Sequence, residues 1–311
     1  MSRQRVATAM NPLLRTRWLY AVAFLMIGLS MAASAFASEP SFSPDDVLNG
    51  APARTGECSD VGRIWIEVSG RKECLRFYGA VPADSRRSPV IFLEGDAIQY
   101  KGRSAAGETV WEVPTYYTQL GPAIMQAEAE QYAAATKRGF FNLARPGIYG
   151  SSGNHMERRR EREVELVDAA LDQLKQRFGW QVISLAGQSG GGHLVAAMLS
   201  RRNDIDCAVI GSGNVAVRQR LREWNLEADV TGFNDFVDPI DRVVDVARHP
   251  PRSLIVLTDP MDKVVSASSQ AAYVGALRNA GVSVDQRFVA ARDPMHHHLR
   301  TAAIVAALAC P

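Results

Sequence analysis

The chain has 311 residues, with 35 Lys and Arg against 33 Asp and Glu and a formal net charge of +2. Its hydrophobic fraction of 47% and charged fraction of 22% are those of an ordinary globular protein, which excludes a disordered chain and a coiled coil. The charges are balanced and form no basic stripe, so we expect no nucleic-acid partner. The length suits one large α/β domain.

The first 37 residues have the composition of a targeting segment. They contain four arginines and no acidic residue, and the apolar run at 18–35 ends in the small residues Ala35-Phe36-Ala37. This pattern predicts a signal peptide over 1–37 with cleavage after Ala37. The alternative is an uncleaved N-terminal membrane anchor, for which the apolar run is near the lower length limit. We expect a periplasmic or secreted protein with no stable membrane span after processing.

The four cysteines agree with export. Cys58, Cys74, Cys207 and Cys310 all follow the leader, and none belongs to a C-x-x-C pair. Four cysteines allow three pairings, and oxidising compartments favour disulfides. We favour Cys58–Cys74, because a short hairpin could join those ends, together with Cys207–Cys310. The alternative is four free buried thiols, and isolated cysteines argue against a zinc site.

The mature chain opens with a hairpin pattern. Residues 38–57 are rich in Ser, Pro, Gly and Asp, which predicts a loose N-terminal stretch before one domain over 58–311. Apolar runs at 64–68 and 74–78 flank the turn-forming residues 69–72. We therefore predict an N-terminal antiparallel hairpin.

Strands and helices then alternate. Short apolar runs predict strands at 89–93, 140–144, 182–186, 208–211, 254–257 and 282–289. Longer amphipathic or helix-favouring segments predict helices at 115–138, 156–178, 192–202, 268–280 and 299–308. This alternation predicts an α/β fold with a mostly parallel sheet and helices on both faces.

One charged run opens the helix predicted over 156–178. Its sequence is MERRRERE at residues 156–163. Such a run is typical of a solvated helix face with i,i+4 charge pairs, and we interpret it that way rather than as a binding site.

The sharpest motif is Gly187-Gln188-Ser189-Gly190-Gly191, a G-x-S-x-G between a predicted strand and a predicted helix. A serine that leaves a strand in a strained turn projects its oxygen free of the backbone, and glycines on both sides avoid clashes there. The following helix directs its N-terminus at the site and favours negative charge. The alternative is an ordinary glycine-rich or phosphate-binding turn, but no Lys-Ser/Thr follows the glycines as in a P-loop.

A nucleophilic serine needs a base, and the base needs an acid that orients it. Asp259 and Asp262 both follow the strand at 254–257, on the sheet edge where Ser189 is expected. The run His296-His297-His298 follows the last predicted strand. Three adjacent histidines cannot easily face one metal, so we predict no metal site and no cofactor.

With these residues in the order Ser, Asp, His, the chain resembles the α/β-hydrolases over most of 60–310. The resemblance implies Asp262 as the acid, from the pattern of an Asp two residues before Val-Val, with Asp259 as its alternate. It implies His297 as the base, because an apolar residue follows after one position; His298 and His296 are alternates. The segment around Asp262 is similar to prolyl-oligopeptidase-like and dienelactone-hydrolase-like catalytic domains, without the propeller of the former.

The resemblance also implies an oxyanion hole made by the backbone N–H groups of Gly190 and Asp96. Glu94 and Asp96 depart from the family's usual His-Gly in this loop, and we expect their side chains to point away, unless one binds a cationic substrate group. The resemblance further implies a small cap insertion at 214–252.

The sequence therefore predicts an exported serine hydrolase that cleaves a small-molecule ester or amide through an acyl-enzyme. The alternatives are an exported serine peptidase or acyltransferase with the same triad, and a non-catalytic α/β-hydrolase-like binding protein, which the departures at Glu94 and Asp96 motivate.

Overall fold

The computed structural model describes residues 41–311, and the predicted signal peptide at 1–37 lies outside the described residues. The strands in chain order are β1 Arg63–Val68, β2 Arg71–Ala80, β3 Val90–Leu93, β4 Gln99–Arg103, β5 Thr109–Glu112, β6 Phe140–Leu143, β7 Ile183–Gln188, β8 Ile205–Gly211, β9 Ser253–Thr258 and β10 Asp285–Phe288. The helices are α1 Pro44–Asn49, α2 Thr115–Gln119, α3 Pro122–Thr136, α4 Glu161–Phe178, α5 Gly190–Leu199, α6 Val217–Glu223, α7 Val243–Arg248, α8 Ala267–Asn279 and α9 Arg300–Ala309.

Eight strands form one sheet in the order β1-β2-β6-β3-β7-β8-β9-β10. The pairs β1–β2 and β2–β6 are antiparallel, and the remaining neighbours are parallel. The turn between β1 and β2 consists of Ser69 and Gly70, both with positive φ, which matches the twist of a two-residue hairpin. The predicted mostly parallel sheet with an N-terminal hairpin is confirmed.

Helices cover both faces of this sheet. One apolar cluster joins the sheet to α4, α5 and α8 through residues such as Leu171, Leu194 and Tyr273. The other joins it to α3 and α9 through Met125 and Ile304. Because both faces are covered, the central strands read as continuous apolar runs rather than alternating ones, and Val90–Leu93 is fully buried.

Both expected disulfides are present. Cys58 pairs with Cys74, with Cα atoms 5.7 Å apart, and ties the turn before β1 to β2. Cys207 pairs with Cys310, with Cα atoms 6.3 Å apart, and ties β8 to the residue after α9. No free cysteine is left between residues 41 and 311.

Several local predictions differ from the structure, and the helix predicted over 115–138 is divided into α2 and α3. The stretch predicted as loose contains α1, because the Ser43 hydroxyl accepts hydrogen bonds from the Asp45 and Asp46 N–H groups and nucleates the helix. The helix predicted from 156 starts only at Glu161. The ribbon of β4 and β5 was missed because its residues are largely exposed and polar.

The segment 214–252 holds α6, α7 and irregular chain. No helix within 41–311 has the length and hydropathy to cross a membrane.

Candidate active site

Ser189 lies on a strained turn between β7 and α5. Its backbone has φ 55° and ψ −117°, a conformation that costs energy for a residue with a side chain. A Cβ on Gly191 would lie 2.0 Å from the Leu93 carbonyl oxygen, and one on Gly187 would lie 2.4 Å from the Gly191 carbonyl carbon. Both positions therefore require glycine, and the turn holds the serine oxygen above the sheet edge.

His297 joins Ser189 to Asp262. The Nε2 atom of His297 lies 2.9 Å from the Ser189 hydroxyl oxygen, and its Nδ1 lies 2.9 Å from Asp262 Oδ2. The N–H groups of Val264 and Val265 each donate to Asp262 Oδ1 over 2.8 Å. These bonds fix the carboxylate, which in turn can fix the orientation and tautomer of the imidazole.

Asp259 and His296, the alternates to Asp262 and His297, form a separate pair. Asp259 Oδ2 lies 3.1 Å from His296 Nδ1 and accepts the Ala291 N–H over 2.7 Å. Neither Asp259 nor His296 is hydrogen-bonded to Ser189. His298 is half exposed, with its Nδ1 3.8 Å from Asp293. The structure thus brings only His297 of the three histidines into contact with the serine.

Asp293, to which the sequence assigned no role, and Gln188 of the elbow hold the histidine loop. Asp293 accepts hydrogen bonds from the backbone N–H groups of His297 and His298. Gln188, in the elbow itself, donates from Nε2 to the His297 carbonyl oxygen over 3.2 Å. An Asp shortly before a turn is a recognisable signal for the first contact. The second has no local signal, because its partners are 109 residues apart.

The loop after β3 borders the serine. A Cβ on Gly95 would lie 3.4 Å from the Ser189 Cβ, and one on Gly190 would lie 2.0 Å from Asp96 Oδ1. The Asp96 carboxylate therefore lies against Gly190. The expectation that the Asp96 side chain points away from the site is wrong, and Glu94 borders a cavity that reaches Ser189.

Three arginines surround the Asp96 carboxylate. Arg145 Nη1 is 2.8 Å from Oδ1, while Arg158 Nε and Arg159 Nη1 are 3.0 and 2.9 Å from Oδ2. Burial would raise the pKa of Asp96, but the charges of these arginines outweigh it and hold that pKa well below its ordinary value. Asp96 is therefore ionised and compensated.

The interpretation of the run at 156–163 as a solvated face is wrong for two of its arginines. Arg158 and Arg159 are each only 3% exposed. Arg159 has a positive φ, and α4 begins only after it, so the chain bends before the helix and carries both guanidinium groups inward. Arg159 also pairs with Asp229, which is distant in sequence. Arg145 pairs with Glu163, which the helical pattern had placed on a solvated face.

Glu94 is compensated in a different way. It accepts hydrogen bonds from Asn142 Nδ2 over 2.6 Å and from Arg300 Nη2 over 2.7 Å. Arg300 also donates from Nη1 to Glu128 over 2.8 Å. One arginine at the start of α9 therefore bridges two glutamates.

Two cavities meet at Ser189 and His297. The first has a volume of about 390 Å³ and is bordered by Tyr100, Trp111, Arg158, Arg220, Trp224 and Val230. The second has a volume of about 400 Å³ and is bordered by Tyr116, Leu120, Ile124, Met125, Glu128 and Arg300. Within residues 41–311, no cluster of three or more His, Cys, Asp or Glu side chains could hold a metal ion.

Comparison with solved structures shows which fold this is. No family model and no curated protein matches the chain. An acylaminoacyl peptidase from Pyrococcus horikoshii is 12% identical, with a TM-score of 0.52 over 79% of this chain and 39% of that one. An esterase from Pyrococcus furiosus, Pf2001, is 13% identical, with a TM-score of 0.52 over 85% and 91%.

A third similar structure is Est1E from Butyrivibrio proteoclasticus with bound ferulic acid, which is 14% identical, with a TM-score of 0.52 over 79% of this chain and 96% of that one. The chain thus spans about two fifths of the length of the peptidases that it matches and nearly all of the esterases. These likenesses, the strand order and the turn at Ser189 show that the chain has the α/β-hydrolase fold.

Proposed function

We propose that the protein is a serine hydrolase that cleaves carboxylic esters. The observation that carries this proposal is the continuous hydrogen-bonded series from Asp262 through His297 to Ser189, with both contacts at 2.9 Å. The strained backbone of the serine supports it, because strain of this kind persists where the surrounding structure enforces it for function.

In this mechanism Ser189 attacks the ester carbonyl carbon while His297 Nε2 takes its proton. Asp262 stabilises the resulting imidazolium and keeps it oriented. The backbone N–H groups of Gly190 and Asp96 hold the oxyanion. His297 then gives its proton to the departing alkoxide. In the second half, water attacks the acyl-enzyme with the same histidine as base, and the acid is released.

The arginines around Asp96 support an oxyanion at this unusual loop. A bare carboxylate against Gly190 would oppose the negative charge that develops on the substrate oxygen. Arg145, Arg158 and Arg159 offset that charge through contacts of 2.8–3.0 Å. The departure from the family's usual loop is therefore compatible with catalysis, and it favours an enzyme over a non-catalytic binding protein.

The size of the two cavities, near 390 and 400 Å³, favours a small-molecule ester. Part of the predicted cap segment at 214–252 borders the first cavity through Asn214, Arg220 and Trp224. The similarity to an acylaminoacyl peptidase keeps amide cleavage or acyl transfer as the second candidate. A comparison of kcat/KM for esters and aminoacyl amides that carry the same acyl group distinguishes these activities.

Replacement of the serine tests the proposal. Ser189→Ala should abolish hydrolysis of short p-nitrophenyl esters while the circular dichroism spectrum and melting temperature stay close to those of the wild type. Ser268→Ala, at an exposed position in α8 that borders neither cavity, is the matched control and should retain activity. Full activity of Ser189→Ala would refute the assignment of the nucleophile.

We also propose that the protein is exported. Two disulfides suit an oxidising compartment, and the composition of residues 1–37 is that of a signal peptide. Mass spectrometry of the protein from its native host should find an N-terminus at Ser38. An N-terminus at Met1 would instead support the membrane-anchor alternative.

A further inference from the structure

Arg220 is a buried cation at the wall of the first cavity. It lies in α6, is only 7% exposed, and donates from Nε to the Val264 carbonyl oxygen over 2.9 Å. Its guanidinium carbon lies 4.2 Å from the centre of the Trp224 ring. Among residues 41–311 it has no ion-pair partner within 4.0 Å and no hydrogen bond from Nη1 or Nη2, and it borders the cavity. Those two nitrogens are therefore free to bind a group that enters the cavity.

The other arginines near Arg220 are all paired with carboxylates. Four arginines and three carboxylates cluster here: Arg145, Arg158, Arg159 and Arg220, with Asp96, Glu163 and Asp229. Each carboxylate is paired with at least one of the other three arginines. Arg220 is thus the one arginine of the four that has no ion-pair partner. Asp262 also acts on Arg220 electrostatically, but it forms no ion pair with it and is hydrogen-bonded to His297 and to two backbone N–H groups.

Burial lowers the pKa of Arg220 to about 10, and nearby Arg159 adds to this effect. The group still remains charged at neutral pH. A buried cation without a partner is costly, and an anion that pairs with it recovers that cost. The fork of a guanidinium matches the two oxygens of a carboxylate.

We propose that the first cavity binds a carboxylate carried by the ester substrate, with Arg220 as its partner. This inference rests on the proposed esterase function. One unpaired guanidinium at the cavity wall matches one carboxylate. Trp224 under Arg220 and Trp111 beside Arg158, 5.1 Å from ring centre to guanidinium carbon, provide flat apolar walls for an unsaturated or aromatic substrate body.

Paired substrates test the inference. One pair is mono-p-nitrophenyl glutarate and its neutral methyl ester, which differ in charge on the acyl side. The other is 4-(butyryloxy)benzoate and its methyl ester, which differ on the alcohol side. In at least one pair, the wild type should prefer the anion by about tenfold or more in kcat/KM, because a charge-assisted hydrogen bond to a buried partner is strong. The favoured pair identifies the side of the ester that faces the first cavity.

Variants of two arginines on one helix provide the matched comparison. Arg220→Gln should bring the ratio of kcat/KM between anion and neutral ester close to one, and Arg220→Lys should retain part of it. Arg222→Gln removes the same charge from an exposed position on α6 and should keep the wild-type ratio. The ratio within each variant cancels any general loss of activity that follows from the contact between Arg220 and the Asp262 loop.

Binding without turnover gives a second readout. Benzoate should quench the tryptophan fluorescence of the folded wild type and bind Arg220→Gln more weakly. Neutral esters preferred in both pairs, or equal benzoate binding by wild type and variant, would overturn the inference while hydrolysis by Ser189 still stood. Failure of the proposed function is a different result: no ester is cleaved, whereas benzoate binding still reports on Arg220.

Discussion

Buried carboxylates border both cavities beside Ser189 and are paired with arginines in each, but the group left without a full partner has the opposite charge. In the first, Asp96 is surrounded by three arginines and Arg220 adds a further cation, so one guanidinium is left without an ion pair. In the second, one arginine, Arg300, serves both Glu94 and Glu128, so negative charge remains. The first has aromatic walls, whereas the second is bordered by Leu120, Ile124 and Met125.

This difference suggests an orientation for the substrate. A buried carboxylate next to a site where an oxyanion develops must be neutralised, and both sides achieve this with arginine. The sign of the remaining charge then separates the cavities: an anionic end suits the first, and a neutral aliphatic end suits the second. The scissile bond would lie between them at Ser189.

The largest expected effect concerns the residues that both cavities share. Asp262→Asn should lower kcat/KM by about ten-thousand-fold for every substrate, because the amide favours the wrong histidine tautomer. Asp259→Asn, in the pair that does not touch Ser189, should cost far less. Ester hydrolysis by the two purified variants checks this, and equal losses would mean that the wrong aspartate has been assigned.

The next effect concerns the stability of the first cavity. Arg159→Met leaves Asp229 and part of Asp96 without a partner, so the free energy of unfolding should fall by about 3–5 kcal/mol. Arg160→Met breaks a largely exposed pair with Asp235 and should cost far less. Urea unfolding measures both, and similar values would show that the buried cluster contributes no more than a surface pair.

Acid should lower the stability of the protein by protonating Asp229, which lies beside the first cavity. Burial raises its pKa, but Arg159 and hydrogen bonds from Thr231 outweigh this and lower it to about 2. The unfolded value is about 3.9, so Asp229 contributes about 2–3 kcal/mol above that pH, and the contribution is lost as the pH falls to about 2. The melting temperature of the wild type should fall more steeply between pH 4 and 2 than that of Asp229→Asn, and parallel curves would contradict the lowered pKa.

The smallest effect concerns the second cavity alone. Ile124→Trp fills part of its apolar wall from a half-exposed position, so kcat/KM for p-nitrophenyl octanoate should fall by about tenfold relative to the acetate. The preference of the first cavity for an anion should persist. Loss of that preference in this variant would mean that the two cavities do not act separately.

The sequence was sufficient to predict the features that local chemistry determines. The hairpin, the buried parallel strands and the glycines around Ser189 follow from patterns within a few residues, and the expectation of export favoured paired cysteines. Ser189, Asp262 and His297 do lie in contact, although their catalytic roles stay a prediction. The arginine cluster was missed because the partners of Arg159 are distant in sequence: Asp96 is 63 residues away and Asp229 is 70 residues away. The helical pattern also made the run at 156–163 look solvated, whereas the positive φ of Arg159 interrupts the helix there.

Covalent labelling shows whether Ser189 is the nucleophile. A fluorophosphonate probe reacts with the activated serine of a serine hydrolase, and peptide mass spectrometry identifies the modified residue. We predict one adduct on the peptide that contains Ser189, and greatly slowed labelling in His297→Gln. Folded wild-type protein that remains unlabelled, or an adduct on another serine, would contradict it.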